Sequence, residues 1–188
     1  MGYTEREPDW YTVTEGRELE QGDYLPSLPV PLIHDPGASL GEGDNVRVEF
    51  EVHNVCVLTQ SCNLVNKKAQ TVMLGRVLAW ADLVDARKKA GDEGYAKEGM
   101  RKKVQQGLQP ALCLLHRRRD EPGIPWSVVD FHTLFVLSRK AVETHAASIG
   151  KRLRLESPYR EHLSQAFARY FMRVGLPHDA RAFLKDPN

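Results

Sequence analysis

The stretch Val46-Arg47-Val48-Glu49-Phe50-Glu51-Val52 alternates apolar and polar residues without a break. In an extended chain successive side chains point to opposite faces, so Val46, Val48, Phe50 and Val52 share one side and Arg47, Glu49 and Glu51 the other. This pattern predicts a strand half-buried against a core. Further short apolar runs follow at Val55–Thr59, Val72–Trp80, Ala111–Leu115 and Trp126–Leu137. They read as more strands, with His53-Asn54 turning the chain between the first two. Gly22-Asp23-Tyr24-Leu25 reads as a turn feeding a short strand. Residues 26–44 hold Pro26, Pro29, Pro31 and Pro36 with Gly37, Gly41 and Gly43, which predicts a long loop with extended pieces.

Between the strands the character changes. Residues 81–106 are rich in charge and in helix formers, and Gly91 and Gly94 divide them. They read as a solvent-facing helical insertion. Residues 138–147 favour helix. Ser157-Pro158 offers an N-cap followed by a proline at the first helical position. Tyr159, Leu163, Phe167, Tyr170, Phe171 and Val174 then recur at helical spacing, a stripe that means core packing, and Gly175 ends the helix. A further short helix is expected at 178–185. The expected architecture is α+β: a small bent antiparallel sheet or SH3-like barrel, with the insertion and C-terminal helices packed on it. The 188 residues suit one domain. Residues 1–20 form a lead-in anchored by Trp10 and Tyr11, 21–137 the barrel, and 138–188 the closing helices.

Composition narrows the class. No run of 18 apolar residues exists, so no membrane span or membrane partner is expected. Met1 to Asp9 has neither the basic nor the apolar part of a secretory signal. Cys56, Cys62 and Cys113 are odd in number and far from any Cys-x-x-Cys spacing, which suits free thiols in a reducing, cytoplasmic setting. The net charge of +1 is polarised: residues 1–54 balance at −9 and residues 55–188 at +10. Such a chain steers a charged partner, or lays its acidic part on its own basic surface.

Two segments carry a resemblance. Val55-Cys56-Val57-Leu58-Thr59-Gln60-Ser61-Cys62-Asn63 is similar to the strand and turn after the first loop of PemK/MazF-type toxins. Val128 to Arg139 is similar to that family's last strand, with Asp130 opening it, Thr133 three residues on, and Ser138-Arg139 beginning the closing helix. Gly22-Asp23 matches the family's opening Gly-Asp. The turn Thr59-Gln60-Ser61-Cys62-Asn63 also resembles a Ser/Thr-Gln-x-Cys-Asp turn of uncharacterised bacterial proteins, with Asn63 in place of Asp. The resemblance implies an SH3-like barrel, and in the toxins RNA cleavage by an Arg before the second strand and a Thr ending the third. Here those places hold His53-Asn54 and Gly75-Arg76-Val77, so the ribonuclease pair is missing.

The remaining chemistry is sparse. Arg76, Asp130, His132 and Cys62 are the candidate catalytic residues: Arg76 as a displaced cation, Asp130 and His132 as an orienting pair two residues apart, and Cys62 as a thiol in a polar turn within reach of His116 or His132. Each has a blander reading as surface or core. No metal-ligand spacing and no phosphate-cradling loop occurs, so neither metal nor small-molecule cofactor is expected. Arg160, Arg169 and Arg173 give the last helix a basic face that suits nucleic acid or plain solvation. The function expected is a non-enzymatic binding or regulatory module, with a protein partner, in a bacterial regulatory, toxin-like or antiviral defence setting. Thr59 to Asn63, the 26–44 loop, Arg160, Arg169 and Arg173 are its expected binding surface. A sequence-specific endoribonuclease and a nucleic-acid-binding protein are the alternatives.

Overall fold

The computed structural model describes residues 9–33 and 48–172. Within them the strands are β1 (Tyr11–Thr14), β2 (Asp23–Ile33), β3 (Val48–Val57), β4 (Thr71–Ala79), β5 (Leu112–Leu115), β6 (Ser127–Ser138) and β7 (Arg152–Leu155). The helices are α1 (Ser61–Val65), α2 (Trp80–Lys89), α3 (Glu98–Gln105), α4 (Arg139–Ser148) and α5 (Tyr159–Phe171), with a 3-10 turn at Glu93–Ala96. The strands form one antiparallel sheet in the order β1-β7-β2-β3-β4-β6-β5. Among the described residues no ladder joins β1 to β5, so the sheet stays open. The Tyr11 hydroxyl reaches across its ends, donating to the His116 carbonyl at 2.7 Å.

Strand alternation distributes the core over both faces. Cys56, Val77, Val129, Phe131 and Leu153 pack on one face with Leu163 of α5. Val55, Val57, Val72 and Leu74 pack on the other with Val142 and Ala146 of α4 and Leu64 of α1. The insertion adds a third cluster, where Leu83, Tyr95 and Val104 cover Leu112 and Val128. Gly75 is the closest approach: a Cβ there would meet Val129 Cγ1 at 2.6 Å and Leu58 Cδ1 at 3.1 Å.

One polar cluster lies inside. Asp23 is fully buried. Its carboxylate accepts from Arg152 Nε at 3.1 Å, from Arg154 Nε at 2.5 Å and Nη2 at 3.0 Å, and from the Glu20 amide at 3.2 Å. Arg152 also donates to the carbonyls of Gly16 and Glu18. Burial works against the Arg154 charge, but the hydrogen bond and charge of Asp23, with Glu20 and Glu18, outweigh it and hold the guanidinium above its ordinary pKa. Buried charges persist only when paired and hydrogen-bonded. The cluster ties β7 to the β2 entry, where Gly22 at φ +88 bridges both neighbours: its amide donates to Val57 and its carbonyl accepts from Leu155.

Several expectations need correction. Residues 23–33 form a strand despite Pro26, Pro29 and Pro31, because that part of β2 has a partner only on its β3 side. A bulge at residues 25–28, with Ser27 at φ 53, bends it. His53-Asn54 is not a turn: both residues lie within β3, and Asn54 Oδ1 accepts from the Ser27 amide at 2.9 Å to hold the bulge. The 46–52 alternation does form a strand from Val48 on, but its apolar side is uncovered. Val48 is 43 % exposed, Phe50 65 % and Val52 65 %. Tyr11–Thr14 and Arg152–Leu155 are strands where a lead-in and helices were expected. Ser157 does not cap α5; Pro158 occupies the N-cap without a side-chain bond. The insertion divides as predicted, yet it buries Leu83, Tyr95 and Val104 as well as facing solvent. Val46, Val174, Gly175 and the expected helix at 178–185 lie outside the described residues.

Candidate functional site

The Thr59–Asn63 turn is built into the fold. Thr59 Oγ1 accepts from the Met73 amide at 2.7 Å, and Ser61 Oγ accepts from the Gln21 amide at 3.1 Å. Gln60 is the N-cap of α1, and the Asn63 carbonyl receives the amides of Lys68 and Ala69. Thr59 therefore ties the end of β3 to β4, Ser61 ties the turn to the Gln21-Gly22 segment, and Gln60 and Asn63 hold α1 and the loop after it. Cys62 is exposed, with its thiol 3.8 Å from Gln60 Oε1, and among the described residues it has no hydrogen bond to His116 or His132.

The other candidates converge. Arg76 and Asp130 stand opposite each other in the β4–β6 ladder. Directly beyond them the register breaks, and residues 131–133 of β6 bulge out before Leu134 resumes opposite Gly75. Asp130 closes this bulge: Oδ1 accepts the His132 amide at 3.0 Å and contacts His132 Nδ1 at 3.0 Å, while Oδ2 accepts the Thr133 hydroxyl at 3.4 Å. Among the described residues the Arg76 side chain makes no hydrogen bond or ion pair. The Asp130–His132 pairing is local to one strand and matches a bulge clasp as well as a catalytic pair.

A sheet opening lies next to Arg76. β3 and β4 pair only at Val55–Arg76, Cys56–Gly75 and Val57–Leu74, and then splay apart. A cleft of about 190 Å³ opens between Val52–Asn54 and Val77–Ala79, with Arg76, Asp82 and Tyr24 also in its lining. Proline has no N–H, so Pro29 and Pro31 cannot sit in doubly bonded pairs with Val52 and Phe50. The bonded pairs of β2 and β3 are therefore Val30–Glu51 and Leu32–Glu49. The backbone groups of Val48, Phe50 and Val52 then point away from β2, along an edge that no described strand occupies. The same three residues carry the exposed apolar side chains, with exposed Pro29 and Pro31 beside them on the cross-strand positions.

No family model, curated protein or solved structure matches this chain.

Of the basic candidates, Arg160 is occupied, with Nη1 3.2 Å from Glu20 Oε2. Arg169 is exposed, and its Nε reaches only the Gln165 carbonyl of its own helix at 3.4 Å. Arg173 lies outside the described residues, as does most of the 26–44 loop. Among the described residues no group of three His, Cys, Asp or Glu is placed to hold a metal ion. No helix there is long and apolar enough to cross a membrane.

Sequence reasoning missed a second surface. Trp10, Trp80 and Trp126 are all the tryptophans of the chain. All three line adjoining hollows between α3, β5 and α5. Their separation along the chain gave no signal; only the topology brings them together. Cys113 sits on this surface, and burial pushes its thiol up to about 12, with Arg169 pulling slightly the other way.

Proposed function

We propose that the protein is a non-enzymatic binding module whose main partner is a protein that adds an extended strand to the free edge of β3. The single observation behind this reading is the β2–β3 ribbon, whose backbone edge, unpaired among the described residues, and exposed Val48, Phe50 and Val52 belong to the same residues. An exposed, flat, apolar edge is an aggregation hazard that proteins normally blunt with charge or proline. Here prolines blunt the β2 side alone, leaving the β3 side open for strand addition. A partner strand would place apolar residues against Phe50 and Val52 and basic residues near Glu51, whose side chain is 58 % exposed.

We place the module with the PemK/MazF-like barrels on the segments 55–63 and 128–139, as an accessory factor in a bacterial regulatory, toxin-like or antiviral defence system. In this reading the open, bent sheet is a barrel relative, and Asn54 has exchanged the toxins' catalytic role for holding the Ser27 bulge. The test is affinity capture from host lysate with the unmodified protein, Phe50→Asp and Arg169→Glu. A partner retained by the unmodified protein and Arg169→Glu but lost from Phe50→Asp is the expected result. Capture that ignores Phe50→Asp contradicts the reading.

One observation favours the endoribonuclease alternative: Arg76, Asp130 and His132 do gather at one bulge. Labelled mixed-sequence RNA incubated with the protein should stay intact. Cleavage abolished by His132→Ala would replace the binding reading with the catalytic one.

A further inference from the structure

We propose that the aromatic groove between the helical insertion and α5 is a second binding site, and that its ligand is single-stranded nucleic acid. The groove consists of two adjoining hollows of about 360 and 630 Å³ that share Val104, Gln105, Leu114 and Trp126. Its wall is a run of rings. Tyr159 stacks on Trp10 with centroids 3.9 Å apart and planes at 11°. Trp10 meets His116 at 5.4 Å, and His116 meets Trp126 edge-on at 4.3 Å. Trp126 is 38 % exposed, with Arg117 Cζ 5.7 Å from its ring. Trp80 also lines the smaller hollow.

The charged side chains lining this surface among the described residues have one sign. Arg101 lines the first hollow and Arg169 the second, and among the described residues no carboxylate lines either. Neither arginine is tied to an acidic side chain among the described residues. The contrast with Arg152, Arg154 and Arg160, all committed to Asp23 or Glu20, is direct. Gln105 and Gln165 supply amides that both donate and accept, as base edges require. The Trp10 indole N–H is shut off from solvent and finds no acceptor among the described residues.

Rings flanked by arginines suit bases and phosphates together. Unpaired bases expose the faces that rings stack on, whereas a duplex hides them. An acidic peptide would satisfy the arginines but leave the rings unused. The site is separate from the β3 edge, so either can fail without the other.

The experiment is anisotropy with fluorescein-labelled twelve-residue oligo(U) and oligo(dT), single-stranded and as duplexes, on the full chain. Saturable binding to a single strand is expected, at least about tenfold tighter than to the duplex, weakening steeply with salt. Trp126→Ala should weaken it by about tenfold, as loss of one stacking partner does. Arg101→Glu/Arg169→Glu changes only surface side chains and should abolish it without altering the melting temperature. Phe50→Asp should leave it unchanged. No saturable binding, equal binding of duplex, or binding indifferent to the arginine pair would overturn the proposal, and so would preference for an acidic peptide over either oligonucleotide.

Discussion

Replacing Asp23 by alanine should destabilise the protein more than any other single truncation of a polar side chain. Both the Asp23 and Arg152 side chains are fully excluded from solvent, with Nε and Oδ2 3.1 Å apart. Removal of the carboxylate leaves the Arg152 cation buried with only the Gly16 and Glu18 carbonyls for compensation. It also removes two hydrogen bonds of Arg154, those from Nε and Nη2 to the Asp23 carboxylate. Breaking one side of a buried ion pair costs about 3–5 kcal/mol. Against a typical total of about 5–15 kcal/mol, that is a large share. Urea denaturation followed by circular dichroism measures it as a fall in midpoint at constant slope. High salt should not reproduce the effect, since burial shields the pair from screening. Arg152→Met added to Asp23→Ala should restore part of the loss, because the lone buried charge goes with it. A cost under about 1 kcal/mol for Asp23→Ala, or strictly additive behaviour in the double variant, would refute the role given to this cluster.

Other expectations follow from the same geometry. Gly75→Ala should cost about 1–3 kcal/mol by overpacking against Val129, read from the same urea curves, whereas Gly99→Ala, with open space around it, should cost nothing measurable. At pH 8 iodoacetamide should modify Cys62 rapidly and leave Cys56 and Cys113 unmodified in the native protein, as mass spectrometry of tryptic peptides would show. Burial pushes Cys56 well up and Cys113 to about 12, above the ordinary thiol value of 9.0. Because folded-state values raised in this way favour the protonated form, the stability they contribute is complete below about pH 9 and is lost as pH rises toward 12. A melting temperature independent of pH over that range would contradict it. Phe50→Asp should leave folding intact to within about 0.5 kcal/mol, since the side chain meets solvent.

The sequence reading succeeds where burial follows hydropathy. Tyr159, Leu163, Phe167 and Tyr170 pack as their spacing predicts, and Val72–Trp80 and Trp126–Leu137 become β4 and β6. It misses β7 because Arg152-Leu153-Arg154-Leu155 hides a strand behind two guanidiniums, which Asp23 neutralises from 129 and 131 positions away. It misses the length of β2 because proline argues against a strand, although Pro29 and Pro31 need only a free side. Alternation at 46–52 identifies a strand and says nothing of what covers it. Phe50 lies in the open because no described helix reaches that end of the ribbon. The Asp130–His132 pairing was legible from its spacing; the placing of Arg76 opposite Asp130 and the convergence of three distant tryptophans were not.

Amide hydrogen exchange along β3, in the free protein and in the captured complex, tests the partner site most directly. In the free protein the amides of Phe50 and Val52 should exchange fast while those of Glu49 and Glu51, bonded to β2, exchange slowly. In the complex Phe50 and Val52 should join the slow set. Slow exchange of Phe50 and Val52 in the free protein, or no change on partner binding, would contradict strand addition at this edge.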